Sequence, residues 1–385
     1  MMIPYGKHCI EQDDIDAVVA ALQEDYIATG PGIAKFEEEF AGYVGAKYAV
    51  AVSSGTAALH ACCFAIGIKA GDEVITSPLT FAASANCVLY CGGTPVFADI
   101  DERTYNIDPM EIEKRITSKT KALIPVHFAG QPCDMDAIQH MADKYGLWII
   151  EDAAHASGAD YCGKKIGSLS DMTIFSFHPV KHMTTCEGGM ITTNNKELYN
   201  KLKGFRAYCL TKDPEQLIDR EDGPWHYEIQ GLGYNYRISD VMCALGRSQL
   251  KKLDRFVERR KEVAARYNEE LKDVKGIILP YQKDGCNSSW HLYTIQIENG
   301  RRKEVYTKMK EAGIGVDVHY LPVYKHPYYQ ENGYMNTCCL NAERVYRQIL
   351  SIPIFYNLSY EQQTYVIETI KKIIGDVHGT DRESR

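Results

Sequence analysis

Lys181 lies in the segment Met172-Thr-Ile-Phe-Ser-Phe-His-Pro-Val-Lys-His-Met-Thr-Thr-Cys-Glu-Gly-Gly189, just past an apolar run that ends at Phe177 and reads as a buried strand. Pro179 and the Gly188-Gly189 pair constrain the chain on either side of it. A primary amine held at the mouth of a buried strand is suited to forming a Schiff base with an aldehyde. A second apolar run, Leu147-Trp-Ile-Ile150, leads into Glu151-Asp-Ala-Ala-His155 and puts Asp152 at the equivalent edge of a sheet. An amine that binds an aldehyde and a carboxylate that keeps a pyridine nitrogen protonated are the minimal requirements of a pyridoxal 5'-phosphate (PLP) site. Taken singly, each residue has a plainer reading. Most lysines are solvated surface charges, and an aspartate after a strand is often the N-cap of the next helix.

A place for the phosphate decides between these readings. Tyr48-Ala-Val-Ala-Val52 reads as a short strand, Ser53-Ser54-Gly55-Thr56 as a tight polar turn, and Ala57 to Ile66 as a helix. Free amides at a helix N-terminus bind a phosphate dianion, Gly55 permits close approach, and Ser54 and Thr56 add hydroxyls. Farther on, Pro78-Leu-Thr-Phe81 follows the strand Glu73-Val-Ile-Thr76 and can set the Phe81 ring over a flat cofactor. Each signal is weak alone, and together they converge on one crevice at the strand ends.

In order along the chain, Ser54-Gly55-Thr56, Thr80-Phe81, Glu151-Asp152-Ala-Ala-His155, Ser176-Phe177 with Lys181, Glu187-Gly188-Gly189 and Gly233-Tyr-Asn-Tyr-Arg237 resemble the DegT/DnrJ/EryC1/StrS family of sugar aminotransferases. The resemblance runs from Pro4-Tyr5 to about Ile374. It implies a fold-type I PLP enzyme in which Lys181 and Asp152 are catalytic, with PLP held by Ser54, Gly55, Thr56, Phe81, Asp152, His155, Ser176 and Lys181. His155 stands where many relatives carry glutamine near the cofactor's phenolic oxygen. By the same resemblance Asn235 reaches the phosphate of a neighbouring subunit's cofactor, which implies a homodimer with shared active sites. Phe177 to Thr185, Gly223-Pro-Trp225 and Val318 to Tyr329 look most like family members that aminate a UDP-linked 2-acetamido-2,6-dideoxy-4-ketohexose, with L-glutamate as the expected donor. Tyr5, Thr29 in Ala28-Thr-Gly-Pro31, Arg237, His319, Tyr320 and Lys325 are the candidate substrate contacts. For the aromatic, basic run from Tyr324 to Tyr329 the plainer reading is domain packing.

Composition agrees. A chain of 385 residues has room for one large and one smaller domain, and a net charge of −8 argues against a nucleic-acid surface. No run approaches the length of a membrane helix and no N-terminal apolar stretch follows a basic region, so a cytoplasmic protein is expected. Thirteen cysteines without framework spacing fit a reducing compartment. His178 and His182 have the i, i+4 spacing of metal ligands, but Pro179 and the lack of a third partner argue against zinc, and no metal is expected. Lys181 argues against the PLP sugar dehydratases, which carry histidine at that place. A non-catalytic PLP-fold regulator would be expected to lose Lys181 or Asp152. No Gly-x-Gly-x-x-Gly follows a strand, which disfavours a nicotinamide dehydrogenase.

The elements that must position these residues are an α/β array. Short apolar strands (Ala49 to Val52, Glu73 to Thr76, Thr94 to Ala98, Thr120 to Val126, Leu147 to Ile150, Thr173 to Phe177, Gly189 to Thr192) alternate with helical stretches. That alternation predicts a mostly parallel seven-stranded sheet flanked by helices, with ligands bound outside the strand ends. Helices are expected over Asp13 to Tyr26, on the spacing of Ile15, Val18, Val19 and Leu22, and over a second segment through Phe36, Phe40 and Val44. A charge-rich helix from Ser248 to Leu271 leads into strands at Ser289 to Ile297 and Gly315 to Tyr320 of a smaller α+β C-terminal domain. The expected domains are residues 1–250, binding PLP, and 251–385, with a loose polar tail after Ile374.

Overall fold

The computed structural model describes residues 2–219 and 223–375. Its main sheet uses β1 (Tyr48–Val52), β2 (Glu73–Thr76), β3 (Thr94–Phe97), β4 (Thr120–Ile124), β5 (Trp148–Asp152), β6 (Met172–Ser176) and β7 (Gly189–Thr193). They lie in the order β1-β7-β6-β5-β4-β2-β3. Only β7 runs against its neighbours, pairing antiparallel with β1 and β6, while β6, β5, β4, β2 and β3 pair in parallel. Every residue of β6 and β7 is buried, as both faces of such a sheet are covered by helices.

Alternation along the strands sorts side chains between the two faces. Ile150 and Ile174 join a core with Val50, Val52 and Leu59, under α3 (Gly55–Ala65). Ile149, Phe175 and Phe177 face the opposite way, into a core with Phe36 and Phe40 of α2 (Pro31–Val44). Asp152 and Ser176, two residues beyond Ile150 and Ile174, therefore share the α3 face. Glu151 is on the other face. There it is fully buried and takes hydrogen bonds from His127 Nε2 (2.8 Å), Ser170 Oγ (2.5 Å) and Thr173 Oγ1 (2.9 Å). The amide of Cys133 donates to His127 Nδ1 at 3.0 Å, which puts the imidazole hydrogen on Nε2, aimed at the carboxylate.

A second sheet is antiparallel: β8 (Ile277–Ile278), β9 (Tyr293–Ile297) and β10 (Ile349–Ile352). Its core joins Tyr293, Ile295 and Leu350 with Tyr267, Met309, Val366 and Ile370. The N-terminal segment belongs to this sheet's surroundings: Ile3 donates to the carbonyl of Gly313 (2.9 Å) and accepts from Gly315 (2.6 Å). Helix α8 (Leu253–Leu271) serves both cores, with Leu253 and Val257 in the one and Val263 and Tyr267 in the other. A further cluster seals the two parts together, with Leu79, Phe97 and Phe128 packed on Val323, Tyr324 and Tyr329.

Four expectations change. The helix expected from Ser248 to Leu271 is two, α7 (Asp240–Leu250) and α8, broken at Lys251 and Lys252. Gly315 to Tyr320 is not a strand; only Asp317 makes a bridge, to Ser351. The strand from Thr120 stops at Ile124, because Pro125 has no amide hydrogen to pair. Helix α1 (Gln12–Leu22) does not bury its apolar residues: Ile15, Val19 and Leu22 are exposed and the buried residue is Asp14. It docks on α7 and α8 through charge, since Asp14 takes a hydrogen bond from Gln249 (2.8 Å) and an ion pair from Lys252 (2.8 Å). The polar tail lies outside the described residues after Gly375.

Removing Lys252 strands a buried carboxylate. Lys252→Met is expected to lower stability by about 2 kcal/mol, less than for a wholly enclosed pair because its other partners Asp13 and Glu11 stay near the surface. Equilibrium urea unfolding measures this, and a loss under about 0.5 kcal/mol would show that Asp14 needs no counter-ion.

Candidate active site

Strand ends on the α3 face bring the candidate residues together. The antiparallel register sets Gly189 opposite both Val52 and Ser176, so the start of β7 brings the end of β1 and the end of β6 to one place. Ser54 caps α3 by accepting a hydrogen bond from the Ala57 amide (3.1 Å). The amides of Gly55 and Thr56, in the first turn, have no intrahelical acceptor. A methyl on Gly55 would fall 3.1 Å from Ser176 Cβ, and one on Gly189 would fall 2.6 Å from the Ser54 backbone. Glycine at both positions thus keeps a small concavity of amides and hydroxyls open between Ser54, Thr56 and Ser176.

Asp152 ends β5 on the same face and is nearly buried. Its Oδ2 accepts a 2.6 Å hydrogen bond from Ser84 Oγ in α4 (Ala83–Tyr90), and its Oδ1 accepts one from the Ala154 amide (3.1 Å). Thr80 Oγ1 lies 2.8 Å from Ser84 Oγ and fixes that hydroxyl in turn. Phe81, in the turn before α4, is 62% exposed, so its ring is free to cover a ligand; it lies 6.3 Å from the Tyr320 ring.

Lys181 follows β6 in a turn that Pro179 predisposes, closed by its own amide on the His178 carbonyl (2.9 Å). The loop returns to the strand through Thr185 N and Thr184 Oγ1, which both donate to the Phe177 carbonyl. Burial pushes the Lys181 amine down to about 8, opposed by the negative charge of Asp152 and reinforced by the guanidinium of Arg260. Arg260 is itself buried, and its Nη1 donates to the carbonyls of Trp290, His291 and Ile354. His155, His182 and His291 crowd the same volume, the first and last with rings 4.3 Å apart. Burial and the neighbouring cations hold all of them well below the usual histidine range, so they are neutral.

His155 Nε2 meets Tyr320 Oη at 3.2 Å, while its Nδ1 is buried without a partner among the described residues. His319 Nδ1 is 2.7 Å from Ser351 Oγ, its ring is 5.5 Å from that of Tyr5, and burial lowers it to about 4. These groups fit PLP: an amine for the aldehyde, a hydrogen-bonded carboxylate, an open amide cradle, an exposed aromatic ring and an orphaned imidazole nitrogen.

Other predicted residues lie at the rim. Asn235 is exposed and bridges Ala207, on a strip that also joins Ser53 to Tyr236 (2.9 Å). Arg237 stands over the Tyr208 ring at 5.4 Å. Thr29 is exposed at a left-handed φ of 60°, in a loop whose Gly30 and Gly32 amides both donate to Asp240 at 2.7 Å. Lys325 is exposed and ion-paired with Glu343 (2.9 Å), and Tyr324 and Tyr329 are buried in the seam between the two parts. Sequence reasoning missed Ser84, Arg260 and His291. Ser84 had a signal in its place three residues after Phe81, at the start of a helix; His291 was read only as a strand residue.

The chain matches the DegT/DnrJ/EryC1/StrS aminotransferase family over residues 8–371. It is 43% identical to the spore coat polysaccharide biosynthesis protein SpsC of Bacillus subtilis, over 97% of each chain. It is 39% identical to the UDP-4-amino-4,6-dideoxy-N-acetyl-beta-L-altrosamine transaminase of Campylobacter jejuni, over 98% of each. Among solved structures, Helicobacter pylori PseC, an aminotransferase of pseudaminic acid biosynthesis, superposes with a TM-score of 0.91 at 31% identity, covering 98% of this chain and all of that one. The PLP form of the sugar aminotransferase Spr1654 from Streptococcus pneumoniae gives 0.90 at 30%, with 98% and 100% covered. The chain therefore belongs to the DegT/DnrJ/EryC1/StrS aminotransferase family and is a PLP-dependent sugar aminotransferase.

Proposed function

We propose that the chain transfers the amino group of L-glutamate to C4 of a UDP-linked 2-acetamido-2,6-dideoxy-4-ketohexose, forming UDP-4-amino-4,6-dideoxy-N-acetyl-beta-L-altrosamine for pseudaminic acid biosynthesis in the cytoplasm. The observation that carries this reading is the near full-length similarity to the Campylobacter jejuni enzyme named for that product. PLP, when bound, supplies an electrophilic aldehyde and an electron-withdrawing ring. Lys181 Nζ, which sheds its proton far more readily than a solvated lysine, binds the aldehyde and, once released, carries the proton between donor and acceptor carbons. Asp152, oriented by Ser84, keeps the ring nitrogen protonated. The Gly55 and Thr56 amides with Ser54 and Ser176 hold the phosphate, His155 meets the phenolic oxygen, and Phe81 covers the ring. Tyr5, Thr29, Arg237, His319 and Tyr320 surround the sugar nucleotide; Lys325 takes part only if it leaves Glu343.

A second reading within the same chemistry rests on the higher identity to SpsC: a related nucleotide-sugar aminotransferase of different C4 stereochemistry or sugar position. The visible spectrum of the PLP-loaded enzyme tells which keto sugar is aminated, and proton NMR of the product gives the configuration at C4. Glutamate is expected to bleach the yellow band, and the UDP-linked 4-keto-6-deoxy-HexNAc to restore it. Bleaching by glutamate with recovery only on another nucleotide-linked keto sugar would favour the second reading, and no bleaching would remove glutamate as donor.

Asn235 lies exposed on a single chain, which suits a role in a neighbouring subunit's site within a homodimer. In heterodimers of Lys181→Ala and Asn235→Ala chains, one site of the pair then regains both residues, and activity of about half the wild-type level per dimer is expected. Activity no greater than the mean of the two parent homodimers would mean that the sites are not shared.

A further inference from the structure

The Lys181 side chain has four rotatable bonds, and no ion pair among the described residues holds its amine; Asp152 and Arg260 act on it through space. Its hydrogen bond is to His291 Nε2, at 3.4 Å. His291 comes from the other part of the fold, in the segment that enters β9, and it is pinned from several sides. Arg260 Nη1 holds its carbonyl (3.2 Å), the Leu292 amide donates to Ala129 O (3.3 Å), and the Ser289 amide donates to Gly130 O (3.1 Å). His182 Nε2 donates to the Ser289 carbonyl (3.0 Å), which places the hydrogen of His182 on that nitrogen. The His291 ring is stacked obliquely on His155, 4.3 Å away at 44°. A side chain fixed on its backbone and on its ring face is pre-organised to orient whatever its free nitrogen meets.

We propose that His291 Nε2 accepts a hydrogen bond from the Lys181 amine and holds it at the mouth of β6, which makes His291 a positioning residue for the aldehyde-binding lysine. The proposal rests on Lys181 being that lysine. It requires the neutral tautomer with the hydrogen on Nδ1, a nitrogen that has no partner among the described residues. Burial first, and then Lys181, His155, His182 and Arg260 around the ring, disfavour a protonated imidazole, so Nε2 keeps its lone pair.

The experiment mixes cofactor-free enzyme with PLP and follows covalent capture by stopped-flow absorbance. Affinity for pyridoxamine phosphate, which makes no bond to the lysine, is measured alongside. His291→Phe keeps a ring of similar volume and removes the acceptor; His291→Gln restores an acceptor oxygen. Capture by His291→Phe is expected to slow about tenfold with pyridoxamine phosphate affinity unchanged, and His291→Gln to recover to within about threefold of wild type. Wild-type capture by His291→Phe overturns the proposal. So does an equal loss of pyridoxamine phosphate binding, which would mark a packing role, or His291→Gln no better than His291→Phe. Lys181→Ala is the control: if it still captures PLP, the assignment of the lysine itself fails, a result distinct from failure of the histidine's role.

Discussion

A lysine amine removed from water is costly to keep charged, and the enclosure of Lys181, with Arg260 nearby, lowers its pKa to about 8 against the opposing charge of Asp152. A neutral amine is nucleophilic, so the same burial that penalises the charge suits the group to the aldehyde-binding role proposed for it. The surroundings follow from that constraint. Burial, and after it the neighbouring positive charges, keep the histidines neutral, so they serve as hydrogen-bonding groups. Arg260 is tolerated beside them because its Nη1 is satisfied by backbone carbonyls.

The sheet supplies the geometry. Period-two alternation sends Asp152 to the α3 face and its neighbour Glu151 to the other, where His127, Ser170 and Thr173 satisfy it. One strand thus delivers a carboxylate to the site and anchors itself from behind. The reversed strand β7 brings the α3 N-terminus against the end of β6, which puts the proposed phosphate cradle beside the lysine loop. The smaller sheet closes the other side, since His291 and Tyr320 both reach into the crevice from it or its connections. The site therefore depends on the seam at Leu79, Phe97, Val323 and Tyr324 that keeps the two parts together.

Much of this was legible in the sequence, because the signals were local. Short, mostly apolar runs such as Met172 to Phe177 have the length of strands buried on both faces, and polar residues at their ends mark the crevice. The small sheet was less legible: Ile277–Ile278 is too short to give periodicity, and Ile349–Ile352 follows directly on a helix. Helix α1 misled in the opposite sense. Its apolar spacing was real, but on the single chain those residues face out, and Asp14 makes the buried contact. The Ser84 and His291 contacts join residues 68 and 110 positions apart, and no local pattern announces such a pairing.

The most direct test of the central claim is the pH dependence of Lys181 reactivity in the cofactor-free protein, measured by competitive acetylation with trace reagent and peptide mass spectrometry. Reaction requires the unprotonated amine, so labelling should rise with pH and level off above the amine's own pKa. A midpoint near 8 is the predicted result. A Lys181 midpoint at the ordinary value would mean that the amine is solvated and charged, and that the enclosure does not prepare it for chemistry.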